Sequence, residues 1–213
     1  SRDKDKMIND PRNHLYVYYA MFLKYYKPDI FVFENVPGLL SAKDSVGSGY
    51  LDSMISLFRE TGYSTEFQIL NASDYCVPQE RKRVILIGRR GKLKGFYPDI
   101  VKKPWDGNVH QVLRDLPPLK AGGGSWRVEN ESYPLTHHIA RNNSPRDLEI
   151  YRIIADGWNK CGSRISYSEL PEHLQAHKNK AGFRDRFKVV ASDAKSSHTI
   201  VAHISKDGNY YIH

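Results

Sequence analysis

The run Ile30-Phe31-Val32-Phe33, followed by Glu34-Asn35-Val36-Pro37-Gly38, constrains this chain more than any other stretch. Four consecutive apolar residues, β-branched or aromatic, predict a strand. The lack of alternation predicts one buried on both faces, as in a parallel sheet. An acid that closes such a strand before a Pro-Gly turn sits at the edge where open α/β sheets bind ligands. A carboxylate there, backed by apolar residues, is expected to be partly desolvated, which suits it to proton sharing. Taken alone, Glu34 also fits a plainer role, the capping of the next turn.

The surrounding pattern extends this strand into an α/β unit. Leu15, Tyr18, Tyr19, Phe22 and Tyr26 recur at helical steps, with Asp10-Pro11 as a start signal and Pro28 as the stop. Leu51, Met54, Ile55 and Phe58 form a second helical face that Thr61-Gly62 ends. Thr65 to Leu70 and Val84 to Ile87, the latter closed by Gly88, read as two more strands. Helix, strand, helix, strand, strand is the tail of a doubly wound sheet, and the last two strands suit an antiparallel pair at its edge.

A second motif lies between those strands: Asn71-Ala-Ser-Asp-Tyr-Cys76-Val-Pro-Gln79-Glu-Arg81-Lys-Arg83-Val84. If Gln79, Arg81 and Arg83 are extended, they point to one face. An amide and two guanidiniums then form a row of donors suited to phosphate or a base edge. A charged strand end in water explains the same residues equally well.

After Gly91 the periodicity breaks up. Pro117-Pro118 and Gly122-Gly123-Gly124 mark loops, and one helix is predicted from Arg146 to Ile154, opened by Ser144-Pro145. A shorter helix is expected near Ser168 to Glu172, and β-like runs at Phe187–Val190, Thr199–Ile204 and Tyr210–Ile212. The expected organisation is an α/β unit over residues 1–90, a smaller irregular module over 91–197 and a return segment over 198–213.

Composition narrows the functions. Hydrophobic residues make up 40% and charged residues 26% of the 213, a globular balance. Two cysteines, Cys76 and Cys161, exclude a disulfide framework, and no Cys/His spacing indicates a metal, so metal ligands are expected to be absent. His137-His138 is the only adjacent histidine pair and reads as two loop residues. The net charge of +8 favours polyanion partners, and seven basic residues without one acid run from Arg81 to Lys94.

Together the two motifs are specific. Glu-Asn-Val-Pro-Gly after an apolar strand, then Val-Pro-Gln-x-Arg-x-Arg before Val-Ile-Leu-Ile-Gly, resembles the bacterial DNA (cytosine-5)-methyltransferases. Asp10-Pro11-Arg12-Asn13 resembles the stretch that precedes the first motif in that family. Thr136-His137-His138-Ile-Ala-Arg141, Phe183-Arg-Asp-Arg186-Phe, His198-Thr199-Ile200 and Lys206-Asp207-Gly208 resemble segments of its recognition module and exit. The resemblance implies a partial Rossmann-like methyltransferase sheet carrying a small irregular α+β module. It implies methyl transfer from S-adenosylmethionine to C5 of a cytosine flipped out of double-stranded DNA, in the bacterial cytoplasm. By motif match Glu34 is the acid at N3, and Arg83 contacts the cytosine O2. Asn35, Val36 and Pro37 shape the pocket loop, Gln79 and Arg81 brace it or the DNA backbone, and Thr199 lies near the DNA backbone.

The family's Pro-Cys nucleophile loop and Gly-rich cofactor loop have no counterpart among these residues, nor do its last two motifs. Cys76 stands where the family has Gly and reads as a loop residue. The chain is therefore expected to be a fragment that neither transfers methyl groups nor binds S-adenosylmethionine well alone, and whose open sheet edge self-pairs. A non-catalytic specificity module or one half of a split enzyme is the alternative; an unrelated basic α/β protein leaves the ordered matches unexplained. DNA contacts are expected from Arg127, Arg141, Arg164, Arg184 and Arg186, with Trp126 as a wedge or stacking residue. Each of these also reads as an ordinary surface residue.

Overall fold

The computed structural model describes residues 10–44, 47–129, 134–200 and 211–213. The chain divides into two compact units, Ser1–Trp105 and Asp106–His213.

The first unit opens with a 3-10 turn at Pro11–His14. Asp10 caps it by accepting the Arg12 amide and pairing with the Arg12 guanidinium, which holds its carboxyl down at about 2. Helix α1 (Leu15–Tyr26) follows and stops at Lys27, whose left-handed φ of 48° precedes Pro28. Strand β1 (Ile30–Asn35), helix α2 (Tyr50–Glu60) and strands β2 (Tyr63–Asn71) and β3 (Lys82–Arg90) complete the unit. The sheet order is β1-β3-β2, and β3 runs antiparallel to both neighbours. The antiparallel β2–β3 pair is as expected, but β3 also inserts beside β1.

Paired residues share a face, so Phe31, Phe33, Val84, Leu86, Gly88 and Tyr63 lie on one side and Ile30, Val32, Glu34, Arg83, Ile85 and Ile87 on the other. The first side packs on the helices through Ala20, Leu23, Met54 and Phe58, and Tyr19, Phe31 and Phe58 meet edge to face. Burial of this layer raises the hydroxyl pKa of Tyr19 and Tyr63. Gly88 does not end β3. A Cβ there would come within 2.0 Å of the Phe31 ring, so glycine is what lets that ring lie on the strand. The expectation of a strand buried on both faces fails for β1: Ile30 and Val32 are 55% and 59% exposed, because the described helices cover only the opposite face.

Residues 91–105 join the first unit. The carboxylate of Glu66 accepts the Gly95 and Tyr97 amides, and the Tyr97 hydroxyl donates to the Ile85 carbonyl. The Lys103 amide donates to the Asp74 backbone carbonyl at 2.8 Å.

The second unit holds short elements: α3 (Val109–Leu113), the ribbon β4 (Gly124–Val128) with β5 (Leu135–Ile139), α4 (Pro145–Cys161), α5 (Lys180–Phe183), and the parallel pair β6 (Lys188–Val189) with β7 (Tyr211–Ile212). Ser144 caps α4 by accepting the Asp147 amide, Pro145 occupies its first turn, and Gly162 ends it at φ 62°. The core gathers Ile150, Ile154, Tyr167, Leu170, Leu174, Phe187 and Ile212. The β-like run expected at Thr199–Ile204 falls mostly outside the described residues.

Candidate functional site

The insertion of β3 brings the two sequence motifs together. Because β3 runs against β1, its first residues lie beside the last residues of β1: Asn35 pairs with Val84 and Glu34 with Ile85. Arg83 and Glu34 then sit diagonally on one face, and Arg83 Nε lies 2.6 Å from Glu34 Oε1. The guanidinium is the more enclosed partner, its side chain 19% exposed against 51% for Glu34. The expected desolvation of Glu34 is therefore not observed, for the same reason that Ile30 and Val32 stand open. Arg83 Nη1 also donates to the Lys82 carbonyl at 2.8 Å, which fixes the plane of the guanidinium. A carboxylate acceptor and a rigid fork of donors at one strand end can together read the edge of a planar heterocycle.

The turn after β1 is tightly held. Asn35 Oδ1 accepts the Val36 amide at 2.8 Å, and Val36 caps a 3-10 turn over Pro37–Leu40. This brings Asn35, Val36 and Pro37 next to the acid.

The loop from β2 to β3 is clamped at its neck. Asn71 Oδ1 accepts the Arg81 amide at 3.0 Å, Asn71 Nδ2 donates to Glu80 at 2.7 Å, and the Ala72 amide donates to the Arg81 carbonyl at 3.0 Å. Asp74 ties the loop outward by a 2.9 Å ion pair with Lys102, which raises the Lys102 pKa. Gln79 lies inside this loop, its amide donating to the Val77 carbonyl, and Cys76 is exposed at φ 63°. Strand geometry begins only at Lys82, so period-two alternation describes Arg83 and not Gln79. Sequence reasoning missed the roles of Asn71 and Glu80. Their signal was the taste of Asn side chains for nearby backbone groups at loop ends.

In the second unit the expected DNA-contacting residues separate into groups. Arg127, on β4, pairs with Glu129 at 2.9 Å, and the Arg141 carbonyl accepts the Gly122 amide at the base of the ribbon. Arg164 is structural: its guanidinium donates to the Asp185 and Phe187 carbonyls. The Arg184 carbonyl accepts the Tyr167 amide, and Arg186 lies over the Phe183 ring at 5.5 Å. The Thr199 carbonyl accepts the Tyr211 hydroxyl at 2.8 Å. Trp126 is 63% exposed and faces His137, with ring centroids 3.8 Å apart. His138 contacts the Pro117 carbonyl, and among the described residues no group of three metal-ligating side chains converges. None of the described helices is long and apolar enough to cross a membrane.

Residues 2–207 match the family model described as C-5 cytosine-specific DNA methylase. The chain is 39% identical to the type II methyltransferase M.Bpa9945I of Bacillus paralicheniformis, a match over all of this chain and 54% of that protein. It is 29% identical to the type II methyltransferase M.MthTI of Methanothermobacter thermautotrophicus, over 80% of this chain and 51% of the relative. The chain thus spans about half the length of these relatives. Among solved structures it resembles a prophage-encoded DNA modification methyltransferase (E. coli) at TM-score 0.51 and 17% identity, over 89% of this chain and 57% of that one. The Entamoeba histolytica methyltransferase EhMeth matches at TM-score 0.50 and 19% identity, over 95% of this chain and 46% of that one.

Proposed function

Since the chain belongs to the C-5 cytosine-specific DNA methylase family, we propose that it forms the base-holding and target-recognition part of an enzyme that methylates C5 of a flipped cytosine in double-stranded DNA, with S-adenosylmethionine as donor. The observation that carries this reading is the 2.6 Å meeting of Arg83 and Glu34, which come from motifs almost fifty residues apart. Flipped bases are held by hydrogen bonds to their Watson–Crick edge. In the reading proposed, Glu34 takes the N3 side of the cytosine and Arg83 its O2. The base enters by exchanging part of the ion pair for its own edge: Arg83 donates to O2, and Glu34, an acceptor while ionised, meets N3 with a proton shared between them. The tight Asn35-Val36-Pro37 turn and the Asn71 clamp on Arg81 hold the two groups in place and limit the reorganisation needed on binding.

The described residues do not fit the cofactor. The turn leaving β1 is a 3-10 turn with proline in it, the chain reaches the Gly49 cap of α2 only after that turn and a further loop, and Gly122–Gly124 leads into the β4–β5 ribbon, so among the described residues no glycine-rich turn joins a strand directly to a helix N-terminus. S-adenosylmethionine would supply the methyl group when bound. The same reading places the protein in the bacterial cytoplasm, in a restriction-modification setting like that of its type II relatives, and gives neither Cys76 nor Cys161 the role of nucleophile.

The test is a methyl-transfer assay with labelled S-adenosylmethionine on mixed-sequence DNA, run on the chain alone and with the remaining part of the Bacillus relative supplied as a second polypeptide. Activity is expected only with the second polypeptide, falling about 10²- to 10³-fold in Glu34→Gln and Arg83→Ala. Transfer by the chain alone would overturn the dependence on other segments. No transfer in either case, with salt-sensitive DNA binding retained, would favour a non-catalytic binding module.

A further inference from the structure

The β4–β5 ribbon carries an aromatic face that the described part of its own unit leaves open. Its register pairs Gly124 with Ile139, Ser125 with His138, Arg127 with Thr136 and Val128 with Leu135. The same spacing sets Trp126 opposite His137. Residues opposite one another share a face, so Trp126, His137 and Ile139 line one side, and Ile139 is 56% exposed like its neighbour Trp126 at 63%. His137 holds φ at 61°, a left-handed conformation that costs a residue with a side chain. That geometry brings the imidazole against the indole. The neighbouring histidine does the opposite job: His138 is partly buried and anchors the ribbon at 2.8 Å to the Pro117 carbonyl. Leu135, on the same face by the register but 8% exposed, is buried at the far end, so the face is open around Trp126, His137 and Ile139 only. One strand therefore fastens the ribbon to the unit, while the Trp126–His137 pair points outward, backed by a second ring rather than by a core.

We propose that the Trp126–His137 pair is a base-contacting element for double-stranded DNA, with the ribbon lying in a groove and the indole packing against a base step. The proposal rests on the DNA reading of the preceding subsection. A two-stranded ribbon fits the major groove, and large apolar side chains that enter a groove contact or wedge base steps. The chain's charge of +8 suits a polyanion. His137 supports the indole from its open side and so restricts its rotation before DNA arrives. Arg127, the neighbour of Trp126 in sequence, lies with Thr136 on the reverse side of the ribbon, so the contribution of the indole is separable from the phosphate attraction of that arginine.

That separation supplies the test. A duplex is enriched from a random pool by the wild-type chain, and its dissociation constant is measured across a salt series for the wild type, Trp126→Ala, Trp126→Leu and Trp126→Phe. An indole that packs on bases neutralises no phosphate. Trp126→Ala and Trp126→Leu are therefore expected to weaken binding about 10- to 100-fold with the slope of log K against log salt unchanged, while Trp126→Phe retains most of the affinity. Hydrogen exchange at the Arg127 and Thr136 amides checks that the ribbon remains paired in each variant. Trp126→Leu binding like the wild type overturns the proposal, because apolar bulk then suffices. A loss that tracks exchange of the ribbon amides also overturns it, because the ring then serves only the hairpin. If the wild type enriches no duplex at all, the DNA reading itself falls, and the ribbon proposal with it.

Discussion

The two units reach order by different means. The first is held by a backbone ladder: β3 is paired along both sides, and its core residues Phe58, Leu86 and Val84 have no exposed surface. Among its described residues the second has only a five-residue ribbon and a two-residue parallel pair as sheet. Its loops are tied by side chains that reach backbone groups. Arg164 holds Asp185 and Phe187, Gln175 holds Ser168 and Leu170, and the Tyr167 hydroxyl receives the His177 amide. A ladder fixes the register of every residue it includes, which is why the Glu34–Arg83 pair lies in the first unit. Side-chain ties fix a few points and leave the stretches between them free to differ, which suits the sequence-reading role proposed for this unit.

The largest expected effect tests whether the units are separate in energy as well as in contact. Phe58→Ala should cost the first unit about 3–5 kcal/mol, and Ile154→Ala the second about 2–5 kcal/mol, because each removes a fully enclosed side chain. In calorimetry each substitution should move one transition and leave the other. A single transition shifted by both would show that the units unfold together, and the contrast would then be one of architecture alone.

A smaller effect addresses the ties themselves. Arg164→Ala leaves two backbone carbonyls without their charged donor and should cost about 1.5–3 kcal/mol in the second transition. Arg90 is the control from the first unit: it pairs with Asp29 at the surface, so Arg90→Ala should cost less than about 1 kcal/mol. Equal losses from the two would mean that the second unit does not depend on side-chain ties more than the first.

The same contrast explains what was legible in the sequence. Helix α1 runs over Leu15–Tyr26 as its apolar spacing predicts, and α4 starts at Ser144-Pro145 as its capping signal predicts. Both signals are local. The pairing of β3 with β1 was not legible, because it joins residues 49 to 59 positions apart and no local pattern encodes it. The β4–β5 ribbon was missed as well. Gly122-Gly123-Gly124 reads as loop, and His137 interrupts alternation with a left-handed residue. Glu34 and Arg83 stood out from their motifs and took their roles from the resemblance, but the exposure of Glu34 was misjudged, since a short apolar run cannot report which of its faces a helix will cover.

The smallest effect concerns the loop that feeds the candidate site. Cys76 holds φ at 63° and its thiol is exposed, so its side chain adds strain without packing in return. Glycine adopts that conformation freely, although its greater freedom in the unfolded chain offsets part of the gain. Cys76→Gly should therefore stabilise the first unit by up to about 1 kcal/mol, read as a rise in its transition alone. The clamp of Asn71 on Arg81 lies at the neck of the same loop, so relief at Cys76 should leave the Arg81 amide as protected from exchange as before. A stability gain with an unprotected Arg81 amide would mean that strain at Cys76 helps close the neck. The loop and the Glu34–Arg83 pair would then form one mechanical unit rather than a strand register with a loop attached.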